Sequence, residues 1–102
     1  MKLEWTGPAA RSLQVVHDYI AVDNPFYAAR FVDRLTLAAE ILLSFPDLGR
    51  KVPEVGREEI RELIFQAYRI IYRRRPDRVQ VLAVVHGSRN LRRIKPEPWE
   101  VG

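Results

Sequence analysis

The chain has 102 residues, 47% of them hydrophobic and 29% charged, which is enough for one domain around a two-layer core and too little for two. No apolar run approaches the roughly 20 residues that cross a bilayer, and Met1 to Trp5 does not read as a signal peptide. Cysteine is absent, which excludes disulfides and thiolate metal sites and suits a reducing cytoplasm, the expected compartment; no cofactor is expected. The formal charge is +4, and of 17 lysines and arginines only Lys2, Lys51 and Lys95 are lysines, leaving 14 arginines. Arginine presents a planar fork that grips phosphate or carboxylate through two hydrogen bonds. The arginines crowd between Arg50 and Arg93, which points to nucleic acid or an acidic protein as partner.

In chain order, the alternation of Leu3 and Trp5 predicts a first strand over 2–6. Thr6-Gly7-Pro8 then offers an N-cap with proline in the first turn, and a helix to about Val22 carries Leu13, Val16, Tyr19 and Ile20 on one stripe. Asp23-Asn24-Pro25 stops this helix and starts another, which reaches Ser44. Ala28, Phe31, Val32, Leu35, Ala38, Ala39, Leu42 and Leu43 follow its 3.6-residue period. Pro46 and Gly49 break it, and a loop is expected through Gly56. Three strands follow, over 60–65, 68–73 and 79–86. The segment from Gly87 to Gly102, with Pro96 and Pro98, reads as an irregular basic tail.

Counting direction reversals sets the first strand up, the helices down and up, and the last three strands down, up and down. The last strand is then antiparallel to the first and pairs beside it. The whole is expected to be a single α+β domain of two layers, a helical hairpin over one sheet. The final hairpin carries the chemistry. If Arg73 sits opposite Arg78, one face holds Tyr68, Ile70, Tyr72, Val79, Val81, Ala83 and Val85 and reads as core. The other is expected to be a half-wet surface holding Arg69, Ile71, Arg73, Arg78, Gln80, Leu82, Val84 and His86. An odd loop or a bulge would reverse one strand and separate these groups.

The WT-P-A opening (Trp5, Thr6, Pro8, Ala9), FPDLGR at 45–50, VPE at 52–54, IREL at 60–63, YRIIYR at 68–73 and VLAVVHGSRNL at 81–91 occur in one order across most of the chain. Together they resemble the RelE/ParE superfamily of toxins from type II toxin–antitoxin systems. The resemblance implies a plasmid-stabilisation type of toxin that arrests growth and is neutralised by an acidic cognate antitoxin wrapped on the basic sheet or the helical hairpin. RelE-like members cleave messenger RNA, usually on the ribosome and without metal, whereas ParE-like members are described as inhibitors of DNA gyrase. Both activities stay open here.

Ribonuclease relatives carrying a Glu-Arg-His set place it at positions matching Glu54, Arg69 and His86. In that role Glu54 takes the 2′-hydroxyl proton, Arg69 neutralises the phosphorane-like transition state and His86 protonates the leaving 5′-oxygen. Arg50, Arg73 and Arg89 are the matching candidates for contacts with nucleic acid or a partner. The lysine-rich site of the ribosome-dependent branch is missing, and HGSRNL also occurs among ParE-like sequences. Plainer roles stand beside these. His86 reads equally as a hydrogen-bonded strand-end histidine, Glu54 as a solvated loop residue and His17 as structural. Arg61 with Glu62 reads as a cross-strand ion pair, and Arg73 to Arg75 as a solvated turn. The alternative from another class is a non-enzymatic basic nucleic-acid-binding module.

Overall fold

The computed structural model describes residues 1–93. The order is strand β1 (Lys2–Trp5), helices α1 (Gly7–Ala21) and α2 (Pro25–Ala39), a 3-10 turn (Glu40–Leu43), then strands β2 (Arg50–Lys51), β3 (Ile60–Phe65), β4 (Tyr68–Arg74) and β5 (Arg78–His86), and a 3-10 turn over Leu91–Arg93. One five-stranded sheet in the order β1-β5-β4-β3-β2 lies under the helical hairpin, giving the expected two-layer α+β architecture. Of the basic tail, residues 94–102 lie outside the described residues, while Leu91 is fully buried.

The helix boundaries follow from their caps. Thr6 Oγ1 accepts from Ala9 N–H at 3.3 Å, and Asn24 Oδ1 accepts from Tyr27 N–H at 3.0 Å. Each satisfies one of the orphan donors of a first turn that also contains proline. The turn after α2 tightens to 3-10 geometry over Glu40–Leu43, so the regular helix ends before Ser44. On α1 the apolar stripe is narrower than expected. Ala9 and Val16 are buried and Leu13 and Ile20 pack beside them, but Tyr19 is 76% exposed. On α2, Ala28, Phe31, Leu35 and Ala39 are buried, while Leu43 in the following turn is exposed.

β1 pairs with β5 in parallel, Lys2 beside Arg78 and Trp5 beside Val81, not antiparallel as direction counting suggests. The cause is β2. Arg50 and Lys51, read from sequence as loop, form a two-residue strand antiparallel to β3, with Arg50 beside Glu62 and Lys51 beside Arg61. That extra traverse reverses every later strand. β1 stops at Trp5, and beyond it Ser12 Oγ of α1 accepts from Val84 N–H at 2.8 Å, tying the helix to β5.

The β4–β5 register also differs. Tyr68 sits opposite His86 and Ile71 opposite Ala83, but Tyr72 is opposite Val81 and Arg73 opposite Gln80, so Leu82 is an extra residue on β5. Leu82, Ala83 and Val85 therefore all point away from the helices, into a second core with Val52, Ile60, Ile71 and Leu91. Val81 and Val84 face the helices with Ile70, Phe31 and Leu35. The face expected to be half wet is thus mostly dry, covered by the 52–56 loop and by Leu91.

Tyr72, fully buried, holds the passage from helix to sheet: its hydroxyl donates to Pro46 O at 2.8 Å and accepts from Gly49 N–H at 2.9 Å. A Cβ on Gly49 would meet Glu62 O at 2.6 Å and the Tyr72 ring at 2.7 Å, so only glycine fits there. Tyr72→Phe leaves a buried donor and acceptor unsatisfied, and stability should fall by about 1–3 kcal/mol, read from the urea midpoint at unchanged slope.

Candidate functional site

On the sheet face away from the helices, four charged side chains close on one another. Glu62 alternates with Arg61 along β3, so the two point to opposite sides and cannot form the pair suggested by sequence. Arg61 instead donates to Gly49 O at 2.8 Å and to Glu58 at 2.9 Å. Glu62, with no exposed side-chain surface, receives Arg69 Nε at 2.5 Å on one oxygen and Arg50 Nε at 2.6 Å on the other. Arg69 turns the rest of its fork to Glu54, donating through Nη1 at 2.8 Å and Nη2 at 2.9 Å. Two guanidiniums meet two carboxylates, and the network is neutral.

Arg69 is therefore not on an open face. It is 6% exposed, roofed by the loop that carries Glu54, and it spends its bidentate edge on that residue. The bonds from Arg69 hold the Glu54 carboxyl below its ordinary range against the opposing effect of burial, with Arg92 adding attraction. The same bonds raise the Arg69 pKa above an ordinary guanidinium's. Glu54 is thus an ion-paired strap residue, not a solvated one.

His86 lies elsewhere. The extra residue in β5 carries it onto the helix side, where its ring meets Tyr68 at 5.5 Å, and Tyr68 in turn meets Phe31 at 5.5 Å. Its Nδ1 is 2.8 Å from Ser88 Oγ, and the side chain is exposed. Of the three residues matched to a nuclease set, Glu54 and Arg69 are together, bonded to each other, and His86 is on the opposite face. The alternation argument that put Arg69, Arg73 and His86 on one side fails at Leu82.

The arginines named for partner contacts also separate. Arg50 is committed to Glu62, and Arg89 lies in the turn after β5, its backbone N–H donating to His86 O at 3.0 Å. Arg73 is 8% exposed and not part of a solvated turn. His17 is half-buried, its Nδ1 3.1 Å from the neighbouring Asp18 carboxylate. It lines, with Trp5, Leu13 and Val32, an apolar groove of about 270 Å³ between the helices. Sequence reasoning missed Glu62. A glutamate at an alternating position between Ile60 and Ile64 faces inward, and that spacing was the available signal. Among the described residues no group of three or more histidine, aspartate or glutamate side chains is placed to hold a metal ion, and no helix is long and apolar enough to cross a membrane.

A helical hairpin over a mixed five-stranded sheet, with an arginine-rich far face, defines the RelE/ParE class of toxin fold. A solved structure described as the chromosomal ParDE TA system from P. aeruginosa superposes with a TM-score of 0.71 at 22% identity, over 84% of this chain and 95% of that one. The model of the family described as ParE toxin of type II toxin-antitoxin system, parDE, matches residues 3–91. Among curated relatives, Y4kP of Sinorhizobium fredii is 38% identical, over 83% of this chain and 86% of its own length. Toxin RelE2 of Caulobacter vibrioides is 31% identical, over 83% of this chain and 93% of its own. The chain belongs to the ParE toxin family and is the toxin component of a type II toxin–antitoxin system.

Two outcomes follow from the ion network. Arg69→Ala uncovers the buried Glu62 carboxylate and should cost about 3–5 kcal/mol in a urea titration, so this variant tests folding before it tests toxicity. Because the Glu54 pKa is lowered by folding, its contribution is present above the unfolded carboxyl value and is lost as pH falls through the folded one. The stability gap between wild type and Glu54→Gln should therefore be widest near neutrality and shrink on acidification, measured as urea midpoints across the acid range.

Proposed function

We propose that this toxin arrests growth by binding its target rather than by cutting RNA, and that the target is DNA gyrase, as the resemblance to ParE-like members implies. The observation carrying this reading is the neutralised Arg69. A phosphoryl clamp must offer its fork to substrate, and here the fork is closed on Glu54 and Glu62. A general base must likewise be free to take a proton, and Glu54 is held as a carboxylate against Arg69 with its basicity reduced. An acid at His86 stands across the sheet from both.

The partner surface differs in kind. Val15, Tyr19 and Val22 recur at helical spacing on the outer side of α1, and Phe26 follows at the start of α2, all more than half exposed. Exposed apolar side chains in such a row suit a protein partner. An amphipathic segment of the acidic antitoxin, laying its apolar side on this row, fits it.

Expression without antitoxin, of wild type and of His86→Ala, separates the two activities. Both proteins should stop growth, leave transcripts intact and reduce plasmid supercoiling. Prompt transcript cleavage that disappears in His86→Ala would reverse the assignment, since losing an acid–base group costs about 10²–10⁴ in rate.

A further inference from the structure

Val15, Tyr19 and Val22 form a row on the outer flank of α1, 65%, 76% and 84% exposed, each about one turn after the last. The row lies on the flank away from Leu13 and His17, which line the groove shared with α2, while Ala9 and Val16 hold the helix to the sheet. Apart from His17, the only charged side chains on α1 are Arg11 and Asp18, one turn before Val15 and one turn after it, and both are exposed. Asp18 accepts from Gln14 Nε2 at 2.8 Å and has His17 Nδ1 at 3.1 Å. Both contacts fall on Oδ1, which leaves Oδ2 open to a donor from outside the chain. Arg11 lies over Gly7, where a Cβ would come within 3.3 Å of its Nη1, and among the described residues no carboxylate pairs with it.

This order of groups complements itself. An antiparallel second copy of α1 centred on Val15 sets Val15 against Val15, Arg11 against Tyr19 and Pro8 against Val22. Arg11 and Asp18 lie toward the same edge of the row, so each Arg11 also comes beside the Asp18 of the other helix. The chain as a whole carries a formal charge of +4, and two copies repel one another over most of their surfaces. On α1 one cation and one anion cancel, so a contact here escapes that repulsion. An acidic segment gains no net attraction from the same two groups, whereas a second copy satisfies both.

We propose that the free chain self-associates through α1, two copies related by a two-fold axis at Val15. Each Arg11 guanidinium lies on the Tyr19 ring of the second copy and donates to Asp18 Oδ2 of that copy. The helix has 15 residues, about 22 Å of length, and a contact confined to it is smaller than a standard interface. The pair is therefore a weak one that forms as concentration rises. With the antitoxin on the same row, as proposed above, the two partners exclude each other, and that consequence alone rests on the toxin reading.

Sedimentation velocity of the purified chain over a series of concentrations tests this, with thermal melts to check that each variant is folded. The wild type should pass from monomer to dimer. Val15→Arg sets two cations together on the axis and should weaken the dimer by about 100-fold or more. Arg11→Asp and Asp18→Arg, each alone, should weaken it by about tenfold. Mixing these two single variants brings opposite charges together at both ends of the contact and should recover most of the loss. Net charge alone predicts the reverse for Arg11→Asp, since that change lowers the repulsion between copies. A wild type that stays monomeric throughout the series would overturn the proposal and leave the row to the antitoxin. A dimer that survives Val15→Arg, or that Arg11→Asp strengthens, would place the contact elsewhere and overturn it too. The measurement contains neither antitoxin nor gyrase, so its result is independent of how the toxin arrests growth.

Discussion

A carboxylate with no exposed side-chain surface needs compensating charge, and the far face of this protein is arranged to supply it. Glu62 is reached by Arg50 from the sheet edge and by Arg69 from the neighbouring strand. Arg69 then needs a second carboxylate for its remaining edge, and Glu54 provides it from the loop. That demand brings the 52–56 segment down over the sheet, where Val52 seals Ile60, Ile71 and Leu82. Replacing a buried ion network with well-packed apolar groups often stabilises a protein, so the network is a poor source of stability for its own sake. Its effect is geometric: it makes a two-residue strand and a loop take one position.

The extra residue at Leu82 is the other device. Without it, β5 would alternate uniformly, and Ala83 and Val85 would face the helices. With it, the first half of β5 sends Val79 and Val81 to the helical side, and the second half sends Val84 there. Two cores are thereby fed from one strand. The same step moves His86 next to Tyr68, into a run of aromatic contacts that continues to Phe31 and Phe65. A histidine so placed can pack and hydrogen-bond, but it cannot share a substrate with Arg69 across the thickness of the sheet.

Much of the fold was legible because its signals are local. Thr6 and Asn24 announce their helices by side chains that bond within three residues, and Ile60 to Phe65 carries the strand pattern on its own. What escaped were features decided by partners far along the chain. Two residues at 50–51 have no periodicity to read, yet they reverse the direction of every later strand. The bulge leaves no mark in a run such as Val-Leu-Ala-Val-Val, where each residue suits either face. The site was legible in part, since Glu54 and Arg69 do meet. They meet as an ion pair that Glu62 extends from beneath, and its spacing between Ile60 and Ile64 was the one signal of it in the sequence.

These two constraints divide the molecule by face. The helical side shows apolar side chains to solvent in rows, and the far side holds buried arginines. Those near the 52–56 loop are balanced by carboxylates and hold the fold. An arginine already paired gives little to an incoming anion, because the anion must first displace the internal carboxylate and leave it buried and unpaired.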